Sequence, residues 1–227
     1  MKTYIVIGGS KGIGKAIIET LIVDNKIINI SRTAPRFNPD NLTHYGCDVL
    51  VDDLPEIENA DGLVYCPGSI NLKPISRLSI DDFKEDFEIN VLGAVKAIQK
   101  YLPILKNGKQ SAILLFSTVA AKLGMPYHAS IATAKSGVEG LVKSLGAELA
   151  PTIRINAIAP TVTDTELASK LLRNDKMAEN ITERHPLKKY LKPNEVAEMA
   201  SFLLSEKAAS MSGQIFEMDC GIVSFKI

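Results

Sequence analysis

The chain has 227 residues, 46% of them hydrophobic, enough to bury a sizeable core in one large α/β domain spanning residues 1–227. Its 26 basic and 26 acidic side chains cancel, which argues against nucleic acid or an anionic membrane as a partner. Three widely separated cysteines, Cys47, Cys66 and Cys220, fit neither a disulfide framework nor a metal-ligand spacing, so a reducing compartment is expected. Residues 1–7 run straight into Gly8 and no apolar run reaches a membrane-spanning length; the expected location is the cytoplasm.

In chain order, short and nearly continuous apolar runs occupy residues 4–7, 27–30, 62–65, 112–116, 153–158 and 214–218. Such runs suit strands covered on both faces, as in a parallel sheet. Helical patterns fall between them, at about 15–23, 80–105, 130–150 and 194–204, with Asn194 as a candidate N-cap of the last. Alternation of this kind predicts a doubly wound sheet with right-handed crossovers. Only about thirteen residues separate Asp48 from Gly62, so a helix there must be short or missing. The charged, weakly periodic stretch at about 164–192 is long for a connection and is expected to form a lid over a binding site.

Directly after the first run comes Gly8-Gly9-Ser10-Lys11-Gly12-Ile13-Gly14, and then a helix. Glycines let the backbone turn sharply and approach a pyrophosphate, while the helix start offers free N–H groups and the positive end of its dipole. After the second run the chain reads Ser31-Arg32-Thr33, with no acidic residue to hold the ribose hydroxyls of NAD. A guanidinium bonds phosphate oxygens as a planar fork, so Arg32, with Ser31 and Lys11, points to the 2′-phosphate of NADP(H).

The spacing of Gly8, Gly12 and Gly14 resembles the glycine turn of the short-chain dehydrogenase/reductase family. Further matches run along almost the whole chain: Asp48-Val49 after the third strand, Gly68 closing Tyr65-Cys66-Pro67-Gly68, Asn90-Val91 with Gly93, Arg154 to Pro160, Thr165, and Gly213-Gln214 with Met218-Asp219. The resemblance implies a Rossmann-like, mostly parallel seven-stranded sheet with helices on both faces. It also implies a homodimer or homotetramer packed through the helices at 80–105 and 130–150. Gly8, Ser10, Lys11, Gly12, Ile13, Gly14, Ser31, Arg32, Asp48, Val49, Cys66, Gly68, Lys135, Pro160 and Thr165 are then the candidate cofactor-binding residues, and the reaction is hydride exchange with a small carbonyl or alcohol.

In that family a tyrosine four residues before a lysine supplies the proton, a serine thirteen residues before the tyrosine orients the carbonyl, and a helix asparagine holds a relay water. Lys135 is the lysine in register, Thr118 stands at the serine position and Asn90 at the asparagine, but the tyrosine position holds Ile131. Residues four positions after the six tyrosines are Gly8, Val49, Ser69, Leu105, Ile131 and Asn194, so no shift of register restores the pair. Three readings stay open. Another group, His128 first and Tyr127 next, gives the proton, His128 falling on one helical stripe with Ile131 and Lys135 if the helix extends that far. Alternatively, the protein is a non-catalytic NADP(H)-binding sensor or partner-binding module, or water supplies the proton. The substrate is not legible.

Overall fold

The computed structural model describes residues 1–224. Strands β1 (Thr3–Ile7), β2 (Lys26–Ser31), β3 (Leu42–Gly46), β4 (Gly62–Tyr65), β5 (Ser111–Phe116), β6 (Ile153–Pro160) and β7 (Ile215–Met218) form one sheet in the order β3-β2-β1-β4-β5-β6-β7. Every pairing is parallel. The strands show little polar alternation because both faces are covered. Ile5 and Ile7 of β1 pack on one side with Ala97, Ile98 and Tyr101 of α3 (Gly93–Asn107) and Val138 and Val142 of α4 (Ala129–Leu149). Tyr4 and Val6 pack on the other with Ile17 and Ile18 of α1 (Gly12–Leu21) and Val196 and Ala200 of α6 (Pro193–Leu204). Side chains as deeply buried as Ile5 and Ile17 each contribute about 1.5–3 kcal/mol by leaving water.

The helical pattern at 80–105 is interrupted. α2 (Ile80–Phe87), started by a capping box between Ser79 and Asp82, passes into a π-turn over Glu88–Leu92 before α3. A π-turn shifts the hydrogen-bond register, and the Tyr65 hydroxyl donates to the Ile89 carbonyl at 2.7 Å. No helix lies between β3 and β4; Leu54 and Ala60 from that stretch join the core between the sheet and α3 instead. The stretch at 164–192 carries a short 3-10 turn and α5 (Asp175–Arg184), which has no fully buried residue. Its two ends are pinned together by the Thr163–Leu191 bridge and the 2.8 Å Lys192–Asp164 ion pair.

One cap expectation is corrected. α6 begins at Pro193, with Lys192 as the N-cap, and Asn194 lies inside the first turn. Proline at the first helical position sacrifices only an N–H that lacks a partner there, and Glu195 satisfies the Lys192 N–H at 2.8 Å.

The order of strands reverses between β1 and β4, and in open α/β sheets the crevice beyond such a point binds ligands. The glycine turn leaves β1 there, and Cys66 to Gly68 leave β4 beside it.

Candidate active site

A cleft of about 610 Å³ opens beyond the carboxyl ends of β1, β2 and β4. Gly8, Ser10, Lys11, Gly12, Ile13, Gly14, Ser31, Arg32, Asp48, Val49, Cys66, Gly68 and Thr165 all line it, which brings together thirteen of the residues singled out from the sequence. No side chain caps the first turn of α1, so its backbone donors face the cleft. Behind the turn, the fully buried Asn29 accepts from the Gly9 N–H at 3.0 Å and donates to Ser31 Oγ at 2.9 Å. Close approach of backbone to backbone explains Gly14, where a Cβ would sit 2.4 Å from the Gly8 carbonyl oxygen. Gly14→Ala should therefore open the turn, costing about 1–3 kcal/mol of stability and weakening dinucleotide binding about tenfold, read by calorimetric titration and thermal melting.

Ser31 stands at the cleft wall with its hydroxyl held by neighbours. It is buried, and its hydroxyl donates to the Thr33 carbonyl at 2.9 Å while accepting from Asn29, which fixes the strand end. Arg32 is exposed and lies 3.8 Å from Asp48. Lys11 is 2.8 Å from Glu166. Exposed pairs of this kind are weak and exchange readily for a phosphate.

A smaller, mainly apolar pocket of about 180 Å³ adjoins the cleft and shares Ile13, Cys66, Gly68, Thr165 and Leu167 with it. Thr118, His128, Ile131, Lys135 and Pro160 line this second pocket, which puts the remaining candidates, except Asn90 and Tyr127, around one space. Among the described residues no tyrosine borders it. Tyr127 is exposed in a left-handed conformation, φ 70°, beside Lys73 and Ile75. His128 is the N-cap residue of α4, one position before the helix, and its Nδ1–H donates to the Pro126 carbonyl at 2.7 Å.

Lys135 is half-buried and its Nζ donates to the Phe116 carbonyl at 2.8 Å. Burial pulls its pKa from 10.5 down to about 8, against the opposing pull of Cys66 and Asp86. Burial likewise pushes the Cys66 thiol up to about 12, which keeps it neutral and unreactive. Thr118 is extended, and its Oγ1 accepts from the Ala120 N–H at 3.3 Å, leaving the hydroxyl proton available to a ligand. Asn90 lies in the π-turn, and its Nδ2 donates to the Asp86 carbonyl at 2.8 Å and to Ser69 Oγ at 3.1 Å.

The short-chain dehydrogenase model adh_short_C2, described as enoyl-(acyl carrier protein) reductase, matches residues 47–223. The chain belongs to the short-chain dehydrogenase/reductase family. It is 28% identical to the uncharacterized oxidoreductase YmfI of Bacillus subtilis, over 97% of this chain and 98% of that one. Its structure is similar to ligand-free aldohexose dehydrogenase of Thermoplasma acidophilum, with a TM-score of 0.90, 26% identity and coverage of 99% and 95% of the two chains. It is also similar to a tyrosine-to-phenylalanine variant of ElxO with NADPH bound, with a TM-score of 0.87, 26% identity and coverage of 99% and 100%.

Within this short-chain dehydrogenase/reductase fold, three site residues escaped the sequence reading. Asn29 is a lone amide inside the apolar run of β2, an oddity that is visible once a strand is assigned. Ser69 and Asp86 were missed as well. The signal for Asp86 was its spacing, four residues before Asn90 and four after Asp82, which puts three polar side chains on one helix face; all three are buried.

Proposed function

We propose that the protein is a cytoplasmic NADP(H)-dependent oxidoreductase that exchanges a hydride with a small carbonyl or alcohol substrate. The observation that carries this is the continuity of the two spaces: a glycine-turn cleft that fits a dinucleotide runs directly into an apolar pocket where Thr118 and Lys135 meet. The cofactor supplies the hydride. Lys135 holds its ribose side through charge and hydrogen bonding, Asn90 braces the π-turn behind it, and the Thr118 hydroxyl orients the substrate oxygen. Phe116, Val119, Leu72 and Met125 exclude water from the pocket and favour an apolar substrate body. Ile131 cannot give a proton, so the atypical donor is another group lining the pocket, His128 or Ser69. Homo-oligomer formation through α3 and α4 belongs to the same reading.

The test is NADPH consumption across a panel of ketones and aldehydes, with the reverse reaction on the matching alcohols. Saturable turnover supports the reading. Tight NADPH binding with no turnover in either direction would favour a non-catalytic NADP(H)-binding sensor or partner-binding module, for which the aliphatic Ile131 on the pocket wall speaks. Cofactor choice has its own check. Replacing Arg32 by alanine should weaken NADPH binding about tenfold, the loss of one charge-assisted phosphate contact worth about 1.5 kcal/mol, and leave NADH binding unchanged. Equal loss for both cofactors would remove Arg32 from the 2′-phosphate.

A further inference from the structure

Asp86 is fully buried, in a helix beside the pocket, yet among the described residues no basic residue is hydrogen-bonded to it. Its Oδ1 accepts from the Ser69 hydroxyl in a short contact and from Asn71 Nδ2 at 3.2 Å. Its Oδ2 and the Oδ1 of Asn90 are buried without a partner among the described residues. Leaving polar atoms buried and unpaired is unfavourable, and a carboxyl is among the worst to strand. The two buried side chains of α2 are Asp82 and Asp86; Asp82 is met by Lys73 and by the Ser79 cap, whereas one oxygen of Asp86 has no partner among the described residues.

The placement supplies a reason. Ser69, the immediate partner of Asp86, lines the pocket together with Thr118, Ile131 and Lys135. A Cβ added to Gly68 would lie 3.1 Å from Asn90 Oδ1 and 3.7 Å from Lys135 Nζ, so the unpaired amide oxygen and the ammonium both crowd the residue next to Ser69. The hydroxyl is thus the junction between the pocket and a buried carboxyl.

We infer that Ser69 and Asp86 form the proton route of this site, Ser69 exchanging the proton with the substrate oxygen and Asp86 acting behind it, in place of a side chain at position 131. The inference rests on the oxidoreductase reading above. In alcohol oxidation the hydroxyl proton of the substrate passes to Ser69 Oγ as the Ser69 proton passes to the Asp86 carboxylate. The C–H bond breaks with its electron pair leaving as hydride to the nicotinamide ring of the oxidised dinucleotide, and the carbonyl forms. Carbonyl reduction is the reverse, with hydride arriving from the reduced dinucleotide and the proton returning from Asp86 through Ser69 to the oxygen. Ser69 is the catalytic residue in this scheme and Asp86 a positioning residue that acts through it.

The groups facing Asp86 come from three elements. Lys135 on α4 is the charged one and acts on it electrostatically. Ser69 and Asn71 in the loop after β4 are neutral, and Lys73 in the same loop is turned away to Asp82 at 2.6 Å. Asn90 closes the set from the π-turn. His128 is the competing donor, but the one hydrogen bond of its imidazole among the described residues goes to a backbone carbonyl, with no proton-accepting side chain behind it.

The experiment is the pH dependence of kcat for full-length wild type, Asp86→Asn, Ser69→Ala, Ser69→Thr and His128→Gln, with NADP(H) and the best substrate of the carbonyl panel. Asp86→Asn keeps the shape and most hydrogen bonds, and thermal melting with NADPH titration monitors the fold. The expected result is that Asp86→Asn and Ser69→Ala each lower kcat about 10²-fold with little change in KM, and that both lose the ionisation seen in the wild-type profile. Ser69→Thr, which keeps a hydroxyl, should recover most of the rate. Rates within twofold of wild type and an unchanged profile in both variants would overturn the route while leaving the oxidoreductase reading intact. Loss of the ionisation in His128→Gln alone would do the same and assign the proton to the imidazole. No turnover by the wild type in either direction would overturn both readings.

Discussion

Replacing Lys135 by methionine will lower NADPH-dependent turnover by about 10²–10⁴-fold, in the range lost with an essential acid–base or charge-stabilising group. The side chain reaches from α4 to the Phe116 carbonyl at 2.8 Å, where the cofactor cleft meets the apolar pocket. A cation held there, in a partly water-excluded setting, stabilises charge developing on a substrate oxygen more than it would in solvent. Methionine keeps the length and the packing of the stem, so the fold should survive and the loss should appear in kcat as well as in cofactor affinity. The same burial has a second, independent readout. The folded protein releases the Lys135 proton at about pH 8, whereas the unfolded chain holds it to its ordinary 10.5. Between those values the unfolded state binds more protons, so raising the pH relieves a burden on the folded state and stability rises with pH. Urea unfolding of the cofactor-free protein should show that rise relative to the methionine variant. A variant with wild-type turnover would remove Lys135 from the chemistry, and identical pH dependence of stability would mean that its ammonium is solvated.

Substituting Arg154 by alanine should be the costliest single change to stability, about 3–5 kcal/mol, without altering turnover per folded molecule. Arg154 is buried in β6, and its guanidinium donates to the carbonyls of Leu203 at 2.9 Å, Ser205 at 3.0 Å and Met211 at 3.4 Å. The Leu203 carbonyl lies in the last turn of α6, that of Ser205 at its C-cap, and the third belongs to the turn that leads to β7. One planar fork therefore ends a helix and fixes the entry of the last strand. Alanine strips several buried acceptors at once and leaves a cavity. For a chain of this length the loss corresponds to a fall in Tm of about 10 °C, measurable by calorimetry. Arg154→Lys restores a charge but not the fork, and should recover less than half. A fall of only a degree or two would show that water replaces the guanidinium at all three carbonyls.

Much of the fold was legible before any coordinates, and the reason is periodicity. Strands covered on both faces must be apolar at nearly every position, so β1, β2, β4, β5 and β6 announce themselves as runs. β3 did not, because Leu42–Gly46 is an edge strand with Thr43 and Tyr45 open to solvent. α5 did not, because its apolar stripe is only Met177, Ala178 and Ile181, half-buried in a helix of ten mostly polar residues. The break of the 80–105 helix at the π-turn was equally silent. A π-turn leaves the spacing of side chains nearly unchanged over a few residues, and the register shift is decided by what packs against it, here the Tyr65 hydroxyl on Ile89.

The sequence by itself determined the alternation of the covered strands with the helices that cover them, the glycine turn with its free helix start, and the register of Thr118, Ile131 and Lys135, because each depends on local spacing or on backbone freedom. What only the tertiary structure decided is where side chains with two possible partners point. Ser31, at the cleft wall, is bonded to Asn29 and Thr33. Tyr127 faced solvent while His128, its neighbour, bordered the pocket. Ser69 and Asp86, seventeen positions apart, became a pair. Hydrogen-bond partners far apart in the chain are chosen by how packed elements bring their loops together, and the energy that selects them, about 1 kcal/mol per bond, has no trace in local composition.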